Sequence, residues 1–218
     1  MGHPKQAVGL YFELEAMRFA SAQSWKGIER MAASFRPGMR ESEATELANK
    51  ILDDLGMERI WHPVHVRFGP NTMKTFRERS EGDLVLGDDD IYFIDIGPVF
   101  RGHEGDVGAT FTTGSDPGKN ACAQAVKTLF DLVRNAWLTQ GLAGPALYDY
   151  AAAEAARMGW VLNLDIKGHR VSDFPHAIYK AGSLGAFDGR PDPGIWVLEI
   201  QIAHPTRAYG AFYEDVLI

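Results

Sequence analysis

Cysteine is almost absent: Cys122 is the single one in 218 residues. An internal disulfide is therefore excluded, and no thiolate cluster can build a structural zinc site. No apolar run approaches the roughly 20 residues that a membrane-spanning helix needs, so no membrane partner is expected. Positive charge is in deficit, with 22 Lys and Arg against 29 Asp and Glu, a net charge of −7. That balance gives no support to nucleic-acid binding as the main role. The opening MGHPKQAVGL lacks a basic stretch followed by an apolar core. No secretory signal is expected, and a cytoplasmic location is the simplest reading. No Pro/Gly/Ser-rich linker divides the chain. What is there is a globular composition, 45% hydrophobic, with enough length for a sizeable core. Cys122 itself lies in an apolar helical stretch and reads as a small core residue.

Along the chain, a helical pattern runs from Val8 to Phe35 and stops at Arg36-Pro37-Gly38. A second helix follows, with Ser42 as its expected N-cap and Gly56 as its stop. Met57–Phe68 reads as a strand and Gly69–Thr72 as a turn. Met73–Asp90 is polar, a solvated loop by composition, or a substrate-facing one carrying Lys74, Arg77 and Arg79. Asp88-Asp89-Asp90 suits a turn better than a metal cluster, since consecutive strand residues point to alternate sides. Asp90–Gly114 then forms a hairpin. Asp116-Pro117-Gly118 opens a helix to about Gln140, Pro145–Met158 forms another, and Trp160-Val161-Leu162 is a short strand. Ile195–Ala203 and Ala208–Ile218 make a second hairpin. The plan is α-α-β-β twice, which predicts an α+β fold of two pseudo-symmetric halves in one domain over residues 1–218, with sheets sharing a core.

The chemistry lies in acids that interrupt apolar strands. Asp95 sits within Tyr92-Phe93-Ile94-Asp95-Ile96, and Asp106 follows eleven residues later on the other arm of the hairpin. An isolated buried carboxylate is costly and needs a cation or a strong donor as partner. A satisfied structural aspartate is the plainer alternative. The second hairpin repeats the oddity with Glu199 and Glu214. If the halves face each other, four carboxylates converge. They cannot all ionise at neutral pH without cations, because like charges raise one another's pKa. Two divalent metals would resolve the conflict, and His169 after Gly168 is the leading imidazole to complete the site. Oxygen donors with one imidazole and no thiolate suit Mn, Fe, Co or Zn.

These residues resemble the pita-bread metallohydrolases, which include methionine aminopeptidase, aminopeptidase P, prolidase and the non-peptidase creatinase. The resemblance runs from Arg36-Pro37-Gly38 to the C-terminus. It implies a pita-bread fold in which Asp95, Asp106, His169, Glu199 and Glu214 hold two metals. It further implies a metal-bridging hydroxide that attacks an amide carbonyl, with Glu199 carrying the proton to the leaving nitrogen. His176, seven residues after His169, matches the family's second histidine, which binds substrate and helps move protons. The large N-terminal domain that helps aminopeptidase P and prolidase dimerise and close the pocket is not matched. A homodimer is one other route to closure.

The pattern also departs from the family. Arg170 stands where a glycine usually follows the ligand histidine. Ala177 replaces a glutamate, Ala109 replaces an arginine, and Ile200 rather than proline follows Glu199. Asn71–Leu86 holds no histidine where the peptidases usually place one. His62 or His65 could reach the site from the preceding strand. The metal site is thus expected to be retained and the pocket altered. An aminopeptidase P or Xaa-Pro peptidase is expected first. A creatinase-like enzyme for a small molecule, with Arg170 and Arg77 or Arg79 clamping a carboxylate, is the second reading. A non-catalytic binding module is the third. Of the other histidines, His103 is expected in an exposed loop, His204 in a turn and His3 near a mobile terminus. Trp61 and Trp196 are expected in the core or pocket wall.

Overall fold

The computed structural model describes residues 3–175 and 181–218. Helix α1 spans Leu14–Ser34 and α2 spans Glu41–Asp54. The helical pattern begins at Val8, yet α1 starts later. The backbone N–H groups of Gly9 and Tyr11 donate to Asp173 at 2.8 and 3.2 Å, and that of Glu13 donates to His103 Nε2 at 2.9 Å. Amides held by distant side chains in this way leave the segment as an extended strap. The start of α2 also differs from expectation. Its N-cap is Arg40, whose N–H donates to Glu43 Oε2 at 2.8 Å, while Ser42 donates twice to Asp83. Helix α3 spans Pro117–Gln140 and α4 spans Gly144–Arg157. Asp116 caps α3 by accepting from Gly118 and Lys119, and Gly141 ends it in the left-handed conformation.

The strands are β1 (Arg59–Phe68), β2 (Ile91–Phe100), β3 (His103–Glu104), β4 (Val107–Thr112), β5 (Val161–Leu162), β6 (His169–Arg170), β7 (Trp196–Ala203) and β8 (Gly210–Val216). They form one sheet in the order β1-β2-β4-β8-β7-β5, with β3 on β2 and β6 on β7. Each half contributes three strands to that path, and the second half runs in mirrored order. The halves meet where β4 pairs with β8. This is the α+β plan that the doubled α-α-β-β pattern predicts, and it is the pita-bread fold that the resemblance implies.

Strand periodicity then sorts the side chains. Tyr92, Ile94 and Ile96 pack with Ile28, Leu52 and Phe68 in a cluster under α1 and α2. Trp196, Leu198 and Ile200 pack with Leu129, Val133 and Trp137 under α3 and α4, where Cys122 is also buried. The two largest apolar clusters thus lie one under each pair of helices, and Tyr213 on β8 packs against both. The intervening positions Phe93, Asp95, Glu199, Gln201, Phe212 and Glu214 line a cavity of roughly 720 Å³ on the other face of the sheet. Among the described residues no helix is long and apolar enough to cross a membrane.

Candidate metal centre

The pairing register lays the acids in a row. Asp95 on β2 is opposite Gly108 on β4, Gly108 is opposite Glu214 on β8, and Glu214 is opposite Glu199 on β7. Gly108 leaves the gap that the acids fill: a Cβ there would stand 3.1 Å from Glu214 Oε1 and 2.7 Å from the Phe212 ring. Asp106 enters just before β4 and is fully buried. His169 enters from β6, whose partner Val197 lies two residues before Glu199. Its Nε2 is 3.1 Å from Asp106 Oδ2. The Tyr148 hydroxyl donates to the Glu199 carbonyl at 3.0 Å and fixes β7 from beneath.

All five acids and imidazoles proposed from sequence as ligands thus come together. His62 joins them from β1, with Nε2 3.2 Å from Asp106 Oδ1 and 3.6 Å from Asp95 Oδ1. Asp106, His169 and Glu214 each offer a ligand atom within 4.8 Å of the others, and so, separately, do His62, His65 and Asp95.

Charge in this cluster is balanced by protons and hydrogen bonds. Burial raises the Glu214 carboxyl well above its ordinary range, and the nearby Asp106, Asp95 and Glu199 charges push it further. Burial also raises Glu199, with His169 opposing and Asp106 and Asp95 adding. Burial alone would lower both histidines. Asp95 and Asp106 outweigh it at His62, which rises to about 9, and Asp106 and Glu199 outweigh it at His169, which rises to about 10. Burial opposes ionisation of Asp106, but hydrogen bonds from His169 and His62 hold it down at about 2. Asp95 Oδ1 is buried without a hydrogen bond, and the buried Asp106 Oδ2 has His169 Nε2 at 3.1 Å. Buried carboxylate oxygens of this kind, facing imidazoles and other acids with no thiolate nearby, fit a divalent cation in chemistry and in space.

The other sequence expectations divide. His176 lies outside the described residues. Arg170 is buried, its Nη2 donating to the Ala7 carbonyl at 2.8 Å and its guanidinium lying over Trp196 at 5.3 Å. As the neighbour of His169 on β6 it points away from that ring. Gln201 shares the Glu199 face, but its amide donates to the Thr72 and Lys74 carbonyls at 3.1 Å each, leaving Glu199 as the acid of β7. Asp215 turns to the opposite face and accepts from Trp25 Nε1 and Ser21 Oγ. Lys74, Arg77 and Arg170 line the cavity, as does Trp61, while Arg79 is not among its lining residues. Asp89 and Asp90 accept backbone N–H groups of the turns around β2 and α3. His103 corrects the expectation of an exposed loop. It is buried, because its ring accepts from Glu13 N–H and pairs with the Arg101 carbonyl, joining the strap to the hairpin.

A buried acidic and imidazole centre, laid across the seam of a doubled α-α-β-β sheet, defines the pita-bread class of metal-binding folds. The model of metallopeptidase family M24 matches residues 15–217, and the chain belongs to that family. No curated protein matches it. Among solved structures it is similar to the prolidase from Pyrococcus furiosus, at 17% identity and a TM-score of 0.75, over 94% of this chain and 60% of that one. The X-Pro aminopeptidase from Thermotoga maritima matches at 18% identity and a TM-score of 0.73, over 94% and 60%. The dipeptidase PepE from Mycobacterium ulcerans matches at 20% identity and 0.73, over 94% and 54%. This chain therefore spans 60% or less of the length of these structures.

Proposed function

We propose that the chain is a dinuclear metal-dependent hydrolase of the aminopeptidase P or Xaa-Pro peptidase type, cleaving an amide bond. The observation that carries this reading is the convergence of Asp95, Asp106, His169, Glu199 and Glu214 on the floor of one cavity. Membership of metallopeptidase family M24 supports it, and the similarity to prolidase and X-Pro aminopeptidase structures suggests the substrate class.

The five residues would hold two ions, with Mn, Fe, Co or Zn suited to the donors. When bound, such ions acidify a water and polarise a carbonyl oxygen. The protein supplies the rest. Glu199, whose carboxyl burial raises, receives a proton and delivers it to the leaving nitrogen. His176, carried from the resemblance, hydrogen-bonds the substrate or the developing oxyanion. Phe93, Ile166 and Phe212 pack together beside the acids and restrict water in the cavity. Lys74 and Arg77 give one wall positive charge for a substrate carboxylate. Arg170 borders the same cavity, with its guanidinium stacked over the core Trp196. Residues 1–218 act as one catalytic domain, with a homodimer as the route to pocket closure.

A small non-peptide substrate is the second reading. Its support is the set of cations Lys74, Arg77 and Arg170 bordering the cavity, which suits a small carboxylate, whereas Ala109, where the family's arginine usually lies, is buried in the first-half cluster and does not line the cavity. The test is an activity screen of the metal-reconstituted chain across Xaa-Pro peptides, Met-peptides and small amidino or carboxylate compounds. Cleavage of Xaa-Pro peptides is expected. Turnover confined to the small compounds selects the second reading, and no turnover with fewer than about one bound ion per chain leaves a binding module.

A further inference from the structure

We propose that His62 and His65 form, with Asp95, a second imidazole arm of the metal centre, so that both ions of the pair are held by nitrogen as well as oxygen. The inference rests on the dinuclear reading above and adds two residues of β1 to it.

Three observations carry it. First, six of the candidate ligands fall into two groups that share no residue, with Glu199 in neither. Asp106, His169 and Glu214 form one, and His62, His65 and Asp95 form the other, each with its ligand atoms within 4.8 Å. The second group has two imidazoles and one carboxylate, a donor set that suits Fe, Co, Ni or Zn.

Second, the backbone is shaped to deliver these rings. The β1–β2 register shifts between Ile60 and His62 and again between His62 and His65. The irregular stretch contains Pro63, which cannot donate to a ladder. Bulges of this kind re-aim a side chain beside a functional site. The two rings lie nearly parallel, with centroids 6.2 Å apart, and both line the cavity. Opposite His62, Gly97 supplies the space. A Cβ there would overlap the His62 ring and stand 2.6 Å from Trp61 Nε1. Trp61 in turn packs edge-on against both His62 and His169, at 4.6 and 5.5 Å. One indole thus buttresses an imidazole from each group.

Third, a purely structural role accounts for only one of the two histidines. His62 pairs with Asp106 and with the Pro63 carbonyl. Among the described residues the His65 ring makes no hydrogen bond, although its Cα is directly opposite Asp95. A ligand role accounts for both rings on the same face of the same acid.

The test compares the full chain with a His62→Gln/His65→Gln double variant after stripping and reloading with Co(II) or Zn(II). Elemental analysis counts the ions, circular dichroism checks the fold, and X-ray absorption counts imidazoles. The wild type is expected to hold about two ions, with about three imidazoles shared between them, and the folded variant about one. A folded variant that keeps two ions at wild-type affinity overturns the proposal. So does a wild-type spectrum with about one imidazole over two ions, which also decides the matter if the variant does not fold. A wild type that binds no metal overturns the dinuclear reading itself, and the two failures are thereby distinguished.

Discussion

Asp106 has no exposed surface, and its two oxygens face two different imidazoles, His62 and His169. Truncating it leaves both rings without their common partner. Asp106→Ala is expected to lose metal and turnover together, read by elemental analysis and peptide hydrolysis. Retention of both would remove Asp106 from the centre. The protons held here also set a pH dependence. His62 and His169 titrate near 9 and 10 in the metal-free fold against an ordinary value of 6.5. Their contribution to stability is complete below 6.5 and is lost as pH rises through 9 to 10. The raised Glu199 and Glu214 act in the same direction, with contributions complete below 4.5 and lost as pH rises through their raised folded values. The stripped protein should melt at lower temperature at pH 9.5 than at pH 7, and metal should reduce that loss, because coordination replaces the protons. A metal-free melting temperature that rises over this interval would contradict the assignment.

At this scale Asp95, Glu199 and Glu214 stand out in the sequence because each interrupts an apolar strand, whereas Asp106 precedes β4 and, like His169, is picked out by its place in the family pattern. The sequence offers His62 or His65 as able to reach the site, but the position of the His62 ring against Asp106 is not legible from spacing. It depends on a register shift in β1 and on the empty space at Gly97, and neither is written in residue order.

At the scale of elements, the decisive contact is the seam between β4 and β8. Gly108 pairs with Glu214 there and leaves no room for a side chain. Gly108→Ala should displace Phe212 or Glu214, lower stability by about 1–3 kcal/mol and weaken metal binding. Denaturant titration and metal titration check the two effects. Beneath β7, Tyr148→Phe removes a buried hydroxyl bonded to the Glu199 backbone and should cost about 1 kcal/mol with the ligand set intact. A larger loss of metal than of stability in that variant would show that β7 is less rigid than its packing implies. Helix ends were legible where local chemistry sets them, as at Asp116-Pro117-Gly118. The start of α1 was not, because Asp173, distant in sequence, holds the amides of residues 9 and 11.

At the scale of the molecule, the sequence carries the doubled α-α-β-β order but not the way the halves close. Mirrored strand order joins them into one sheet over the two largest core clusters, with Tyr213 packed against both. The proposed single domain should therefore unfold in one transition, with tryptophan fluorescence and far-ultraviolet circular dichroism coincident. Separate midpoints would mean that the halves are independent units.

The same closure places Asp95 and Asp106 from one hairpin against Glu199 and Glu214 from the other. The most direct measurement follows hydrolysis of an Xaa-Pro peptide by the chelator-stripped chain, before and after return of Mn, Fe, Co or Zn, with bound metal counted in parallel. Activity should be absent when stripped and should return as about two ions bind per chain. Undiminished hydrolysis by the stripped chain, or fewer than about one ion bound under every metal, would contradict a dinuclear centre.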